Sequence, residues 1–66
     1  MNYTITNSRG ESSYSYTWEV ALESAREAIR DTNDVATISC NQGHFMQSYS
    51  WCFEDGDIIL LEVFLN

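Results

Sequence analysis

Residues 2–7 (Asn2-Tyr3-Thr4-Ile5-Thr6-Asn7) alternate and are β-prone, and residues 12–16 (Ser12-Ser13-Tyr14-Ser15-Tyr16) alternate again. Between them Ser8-Arg9-Gly10-Glu11 supplies turn chemistry, so the pattern predicts an N-terminal hairpin. The period then changes. Trp18, Ala21, Leu22, Ala25 and Ile29 recur at helical spacing and form a narrow apolar face. Thr17 is placed to cap that helix, its hydroxyl accepting from an otherwise unpaired N–H in the first turn. The helix is expected from Trp18 to Asp31, with Thr32-Asn33-Asp34 ending it and the small Ala residues letting it lie close to a sheet.

Two more hairpins are expected. Residues 35–41 read as a strand, Gln42-Gly43 as a tight turn, and 44–54 as a second strand. Asp55-Gly56 is a type I′ signal, because Gly takes positive φ without a Cβ penalty. A last strand follows from Asp57 to Leu65. The predicted fold is α+β: a single small domain over 1–66, ordered ββαβββ, with an antiparallel sheet of four to five strands and one helix across one face.

Two-residue loops at both turns set a register. Cys40 then faces Phe45, Ile38 faces Gln47 and Ala36 faces Tyr49; in the last hairpin Phe53 faces Ile58, Trp51 faces Leu60 and Tyr49 faces Glu62. Side chains alternate with period two. One face therefore collects Ala36, Ile38, Cys40, Phe45, Tyr49, Trp51, Phe53, Ile58, Leu60 and Phe64, and this aromatic-rich face is the expected core. The other collects Val35, Met46, Cys52, Ile59, Leu61, Val63 and Leu65, diluted by Thr37, Ser39, Ser48 and Ser50. That second face is too apolar along its last strand for an ordinary solvated surface.

Composition narrows the function. The 66 residues include 10 Asp or Glu and three Arg but no Lys, for a net charge of −7. Three cations cannot neutralise a run of phosphates, so direct nucleic-acid binding is not expected. An anionic membrane surface repels such a chain, and no segment approaches the ~18 apolar residues of a membrane-spanning helix. Nine aromatic residues and an apolar last strand argue against disorder despite the charge. The first residues carry neither a basic nor an apolar stretch of signal-peptide type, so a reducing cytoplasm is the expected location and Cys40 and Cys52 are expected as free thiols.

The residues that could carry chemistry do not converge. Cys40 and Cys52 point to opposite faces in the expected register, which is incompatible with disulfide geometry. His44 and Cys52 share a face but lie eight residues apart on one strand, roughly 26 Å at ~3.3 Å per residue, so they cannot share a metal. His44 reads as a solvated turn residue. Glu54, Asp55 and Asp57 sit on a hairpin tip where solvent keeps them ionised, and no Gly-rich phosphate loop is present. The chain is expected to be neither an enzyme nor a cofactor binder.

Acid placement is the informative feature. Glu19, Glu23, Glu27 and Asp31 are spaced i, i+4, i+8, i+12, which makes one gently winding stripe on a helix. Like charges at i,i+4 cost on the order of 0.2–0.5 kcal/mol per pair, partly offset by Arg26 and Arg30 at i+3 from Glu23 and Glu27. Asp34 extends the stripe, and Glu54, Asp55 and Asp57 add a second cluster. A solvated helix face is the ordinary use of such charge. With no Lys to balance the sign and two clusters in one small domain, an acidic surface for a basic protein partner is the preferred reading. Duplex DNA carries one charge per ~1.7 Å of axis against one per ~6 Å along this helix, so the stripe alone is too sparse to copy a duplex.

A very short, Lys-free acidic chain with Glu19, Glu23, Glu27 and Asp31 on one helix over a small sheet resembles the small phage-encoded inhibitors of bacterial defence, and among them the acidic anti-CRISPR proteins. The likeness covers the whole chain in size, charge and layout and rests on no sequence motif. It implies a non-catalytic inhibitor acting in the host bacterial cytoplasm. Its partner would be a DNA-contacting CRISPR effector subunit, of a type I complex near its PAM-reading region, and target-DNA binding would be blocked by mimicry of nucleic acid. The alternative is a small interaction or homodimerisation module working through the apolar second face of the sheet.

Overall fold

The computed structural model describes residues 2–40, 43 and 45–65. Its elements run β1 (Tyr3–Asn7), β2 (Ser12–Ser15), α1 (Trp18–Ile29), β3 (Val35–Cys40), β4 (Phe45–Cys52) and β5 (Asp57–Leu65). The five strands form one antiparallel sheet in the order β2-β1-β3-β4-β5, with α1 across one face, which is the α+β architecture the sequence predicts.

Local chemistry explains the first half. Asn7 closes the β1–β2 turn: its Oδ1 accepts from the amides of Arg9 and Glu11, both at 3.0 Å. Thr17 caps α1 as expected, its Oγ1 accepting from Val20 N at 3.3 Å. Ala21, Ala25 and Ile29, one turn apart, are fully buried and let the helix settle directly onto Ile5, Ala36, Ile38 and Tyr49. Trp18 lies edge-on between Tyr3 and Phe45, with ring centroids 5.5 and 5.4 Å away. The aromatic-rich face is therefore the core, as expected, and the β3–β4 register is the expected one, with Ala36 opposite Tyr49 and Ile38 opposite Gln47.

Three expectations are corrected. The helix stops at Ile29, short of Asp31, because Thr32 donates both its amide (3.0 Å) and its hydroxyl (2.8 Å) to the Ile29 carbonyl. Asp31 then takes a left-handed conformation, φ 58°, which Asp tolerates better than most residues. The last hairpin has a four-residue loop, 53–56, with Cys52 opposite Asp57 and Trp51 opposite Ile58. The Gly56 amide donates to the Cys52 carbonyl at 2.9 Å with φ 65°, so Phe53 joins the loop and is exposed instead of buried.

The third correction is a β-bulge. Tyr49 opposes Leu60 but Ser48 opposes Glu62, so Leu61 has no cross-strand partner and the alternation of β5 changes phase there. Phe64 consequently opposes Met46 on the helix-free face, and Val63 opposes Gln47 on the helix side, the reverse of the simple alternation. Turn Gly43 has φ 88° and donates to the Cys40 carbonyl. Gln42 and His44 lie outside the described residues, so the expectations on the Gln42-Gly43 loop and on a solvated His44 rest there.

The helix lies mainly over β1 and β3, touches β2 and β4 less, and meets β5 at its start, where Arg26 bonds Asp57 and Ile58 packs against the core. Helix-free residues Ser12, Thr6, Thr37, Ser48 and Glu62 line up across all five strands, with hydroxyl bonds of 3.2 Å at Thr6–Ser12 and Thr37–Ser48. No helix among the described residues is long and apolar enough to cross a membrane.

Candidate functional site

Glu19, Glu23 and Glu27 stand on the solvent side of α1, opposite the buried Ala21-Ala25-Ile29 stripe, because the two sets are offset by about half a turn of the same period. Asp31, beyond the helix end, remains next to them. A cleft of about 370 Å³ is lined by Glu23, Arg26, Glu27, Arg30 and Asp31 from the helix side and by Trp51 and Gly56 from the β4–β5 hairpin. The fold thus brings the Glu23, Glu27 and Asp31 part of the stripe next to the Gly56-Asp57 end of the hairpin tip. Residues more than twenty positions apart in the chain form one acidic region.

Arg26 makes that junction. Its Nε donates to Asp57 Oδ1 at 2.7 Å and its Nη1 to Glu23 Oε2 at 2.5 Å. Asp57 Oδ1 also accepts from the Ile58 amide at 2.7 Å. The hydrogen bond from Arg26, helped by that amide, holds the Asp57 carboxyl below the usual carboxylate range, and the bond to Asp57 in turn raises Arg26. Sequence reasoning paired Arg26 with Glu23 alone; a contact 31 residues away carries no local signal.

The other two arginines also sit among acids. Arg30 is 3.9 Å from both Glu27 and Asp31. Arg9 lies 3.2 Å from Glu11 and 3.7 Å from Asp34. Asp34 is therefore turned toward the β1–β2 turn and does not prolong the stripe, while its amide donates to Thr32 Oγ1. Among the described residues Glu19, Glu54 and Asp55 have no arginine within ion-pair distance. Exposed pairs of this kind are worth ~0–1 kcal/mol and are readily exchanged for a partner's cation. Around the cleft and tip, Glu23, Glu27, Asp31, Glu54, Asp55 and Asp57 outnumber the two guanidiniums of Arg26 and Arg30.

The sequence reading missed the exposed aromatics. Phe53 is 59% exposed and adjoins Glu54 and Asp55, while Tyr14 and Tyr16 are 74% and 81% exposed near the β2 edge. Aromatic side chains beside charge are favoured anchors in protein interfaces. Cys40 and Cys52 are free and lie on opposite sides of the sheet by the strand alternation. Among the described residues no three His, Cys, Asp or Glu side chains come together in a way that could hold a metal ion.

Compared with protein-family models, with curated proteins and with solved structures, the chain matches none.

Proposed function

We propose that this protein is a non-catalytic inhibitor that uses its acidic surface to occupy a basic, nucleic-acid-binding protein site. The reading rests chiefly on one observation, the convergence of the helix stripe with the hairpin tip around the cleft at Glu23, Arg26, Glu27 and Gly56. A one-dimensional stripe is too sparse to compete with phosphates. A patch that adds the tip carboxylates and an exposed Phe53 to the stripe offers both charge and an anchor.

In the setting implied by the acidic anti-CRISPR resemblance, the target is the DNA-contacting subunit of a type I CRISPR surveillance complex in the bacterial cytoplasm. The carboxylates stand in for phosphate oxygens before Arg and Lys side chains of that subunit. No bond is made or broken, so inhibition is stoichiometric. Target-DNA binding by purified type I complexes, read by fluorescence anisotropy with increasing inhibitor, tests this. Loss of binding near one inhibitor per complex, relieved as salt rises, is the expected result; undiminished DNA binding at a hundredfold excess on representative type I subtypes overturns the assignment.

A further inference from the structure

The strand order places β5 at one edge of the sheet, and its character is opposite to that of the other edge. β2 is four residues long and reads Ser-Ser-Tyr-Ser, whereas β5 is nine residues long and exposes Ile59, Leu60, Leu61, Val63 and Phe64 by 41–49% each. Long apolar edges are pairing templates, and proteins that keep them free usually blunt them with Lys, Pro or brevity. β5 is neither short nor interrupted by Lys or Pro; of the other protective devices it carries a bulge at Leu61. Its single interior charge is Glu62.

We infer that β5 pairs antiparallel with β5 of a second copy, joining two five-stranded sheets into one ten-stranded sheet about a two-fold axis normal to it. This inference stands independently of the proposed inhibitory function. Three features select a second copy as the occupant. First, the bulge makes the strand self-complementary. Ile59 and Phe64 belong to the helix-free side, and Leu60 and Val63 to the helix side. A two-fold axis between Leu61 and Glu62 sets Ile59 of one copy against Phe64 of the other and Leu60 against Val63, so that apolar side chains match on both faces, with the bulged Leu61 of each copy opposite Glu62 of the other at the centre.

Second, the area is adequate for a weak dimer. The five exposed side chains offer at most on the order of 900 Å² for two copies, of which edge pairing covers only a part, so the interface falls below the ~1,200 Å² of the smaller stable ones and in the range of weak association. Third, the charge is out of the way. α1 lies over β1 and β3, so the two helices are roughly 30 Å apart at ~4.8 Å per strand, several times the ~8 Å screening length at physiological salt. The acidic tips fall at opposite ends of the paired strands. Only the two Glu62 come near each other.

Sedimentation velocity from 1 µM to 1 mM on the full chain tests the pairing, with folding checked by circular dichroism. The expected result is a monomer–dimer equilibrium in the micromolar range. Glu62→Gln should tighten it severalfold, and Leu60→Lys with Val63→Lys, both at exposed positions, should weaken it at least tenfold. Met46→Lys, on the helix-free face one strand in from the edge, should shift it less than threefold. A wild-type chain that is strictly monomeric at 1 mM overturns the inference, as does a dimer abolished by Met46→Lys and untouched by the β5 pair, which would assign stacking of the open faces instead. A monomer that binds an unrelated hydrophobic strand peptide equally overturns the choice of a second copy.

Discussion

Replacing Glu19, Glu23 and Glu27 together by Gln separates the acidic surface from the fold. The substitution changes the net charge from −7 to −4 without altering side-chain length. Its folding cost is small by construction. Two like-charge i,i+4 contacts, Glu19–Glu23 and Glu23–Glu27, are relieved at ~0.2–0.5 kcal/mol each. A third pair, Glu27–Asp31, lies outside regular helix geometry and shares Arg30 between its two carboxylates, so its relief adds little. Against that gain stand the favourable position of Glu19 in the first turn, ~0.3–1 kcal/mol, and the i,i+3 pairs with Arg26 and Arg30. The terms nearly cancel, so the variant should melt within a few degrees of wild type. Its affinity for a basic target should nevertheless fall about 3- to 150-fold at 50 mM salt, since three contacts at ~0.2–1 kcal/mol each are lost, and the gap should narrow at 300 mM. Titration of a type I surveillance complex at both salt concentrations, beside a thermal melt, is the assay. A folded variant with wild-type affinity and wild-type salt dependence would refute the role given to the stripe.

Three further outcomes follow from the packing. Ile38→Ala, on the central strand and fully buried, should cost about 2–5 kcal/mol, a large part of the ~3–10 kcal/mol available to a domain this size; urea denaturation measures it, and a loss under 1 kcal/mol would contradict the core described here. Asp31→Gly should stabilise by about 0.5–1 kcal/mol, because it removes side-chain strain at φ 58° and a negative charge near the helix C-terminus; a lower melting temperature would argue that the pair with Arg30 dominates. Asp57 has a depressed carboxyl in the folded state, so its contribution is fully present above the ordinary value of 3.8 and is lost as pH falls from there through the lower folded value. Melting curves between pH 5 and pH 2.5 should therefore fall less steeply for Asp57→Asn than for wild type, and parallel curves would show that the Arg26 contact has no such effect.

The parts of the fold readable from the chain were those governed by local period and local chemistry. Thr17, the Ala21-Ala25-Ile29 face and the β3–β4 pairing all follow from spacing within a few residues. The helix end did not, because two Thr32 donors competing for one carbonyl leave no mark in an apolar pattern. The bulge at Leu61 was also hidden: Ile58 to Leu61 are interchangeable as β-formers, and only the pairing with Ser48 and Tyr49 shows which residue is extra. The same division holds at the site. The helix stripe was visible as a four-residue repeat, whereas its junction with the hairpin tip depends on Arg26 reaching Asp57 across 31 residues.

Partial coverage of the sheet by α1 also bears on how the molecule moves. β1, β3 and the helix, with Tyr49 of β4, share the buried side chains, so their amides are expected to be the most protected from exchange. β4 is tied into the same core by Tyr49 and by Phe45 against Trp18, whereas β5 and the hairpin tip are held by main-chain bonds to β4, by Ile58 and by the Arg26–Asp57 pair. β5 and the tip form the less protected unit, and their amides are expected to exchange faster than those of α1, β1, β3 and β4. The hairpin tip that carries Glu54 and Asp55 belongs to that unit, so the acidic region has one rigid bank, the helix, and one compliant bank that can adjust its carboxylates to the surface it meets.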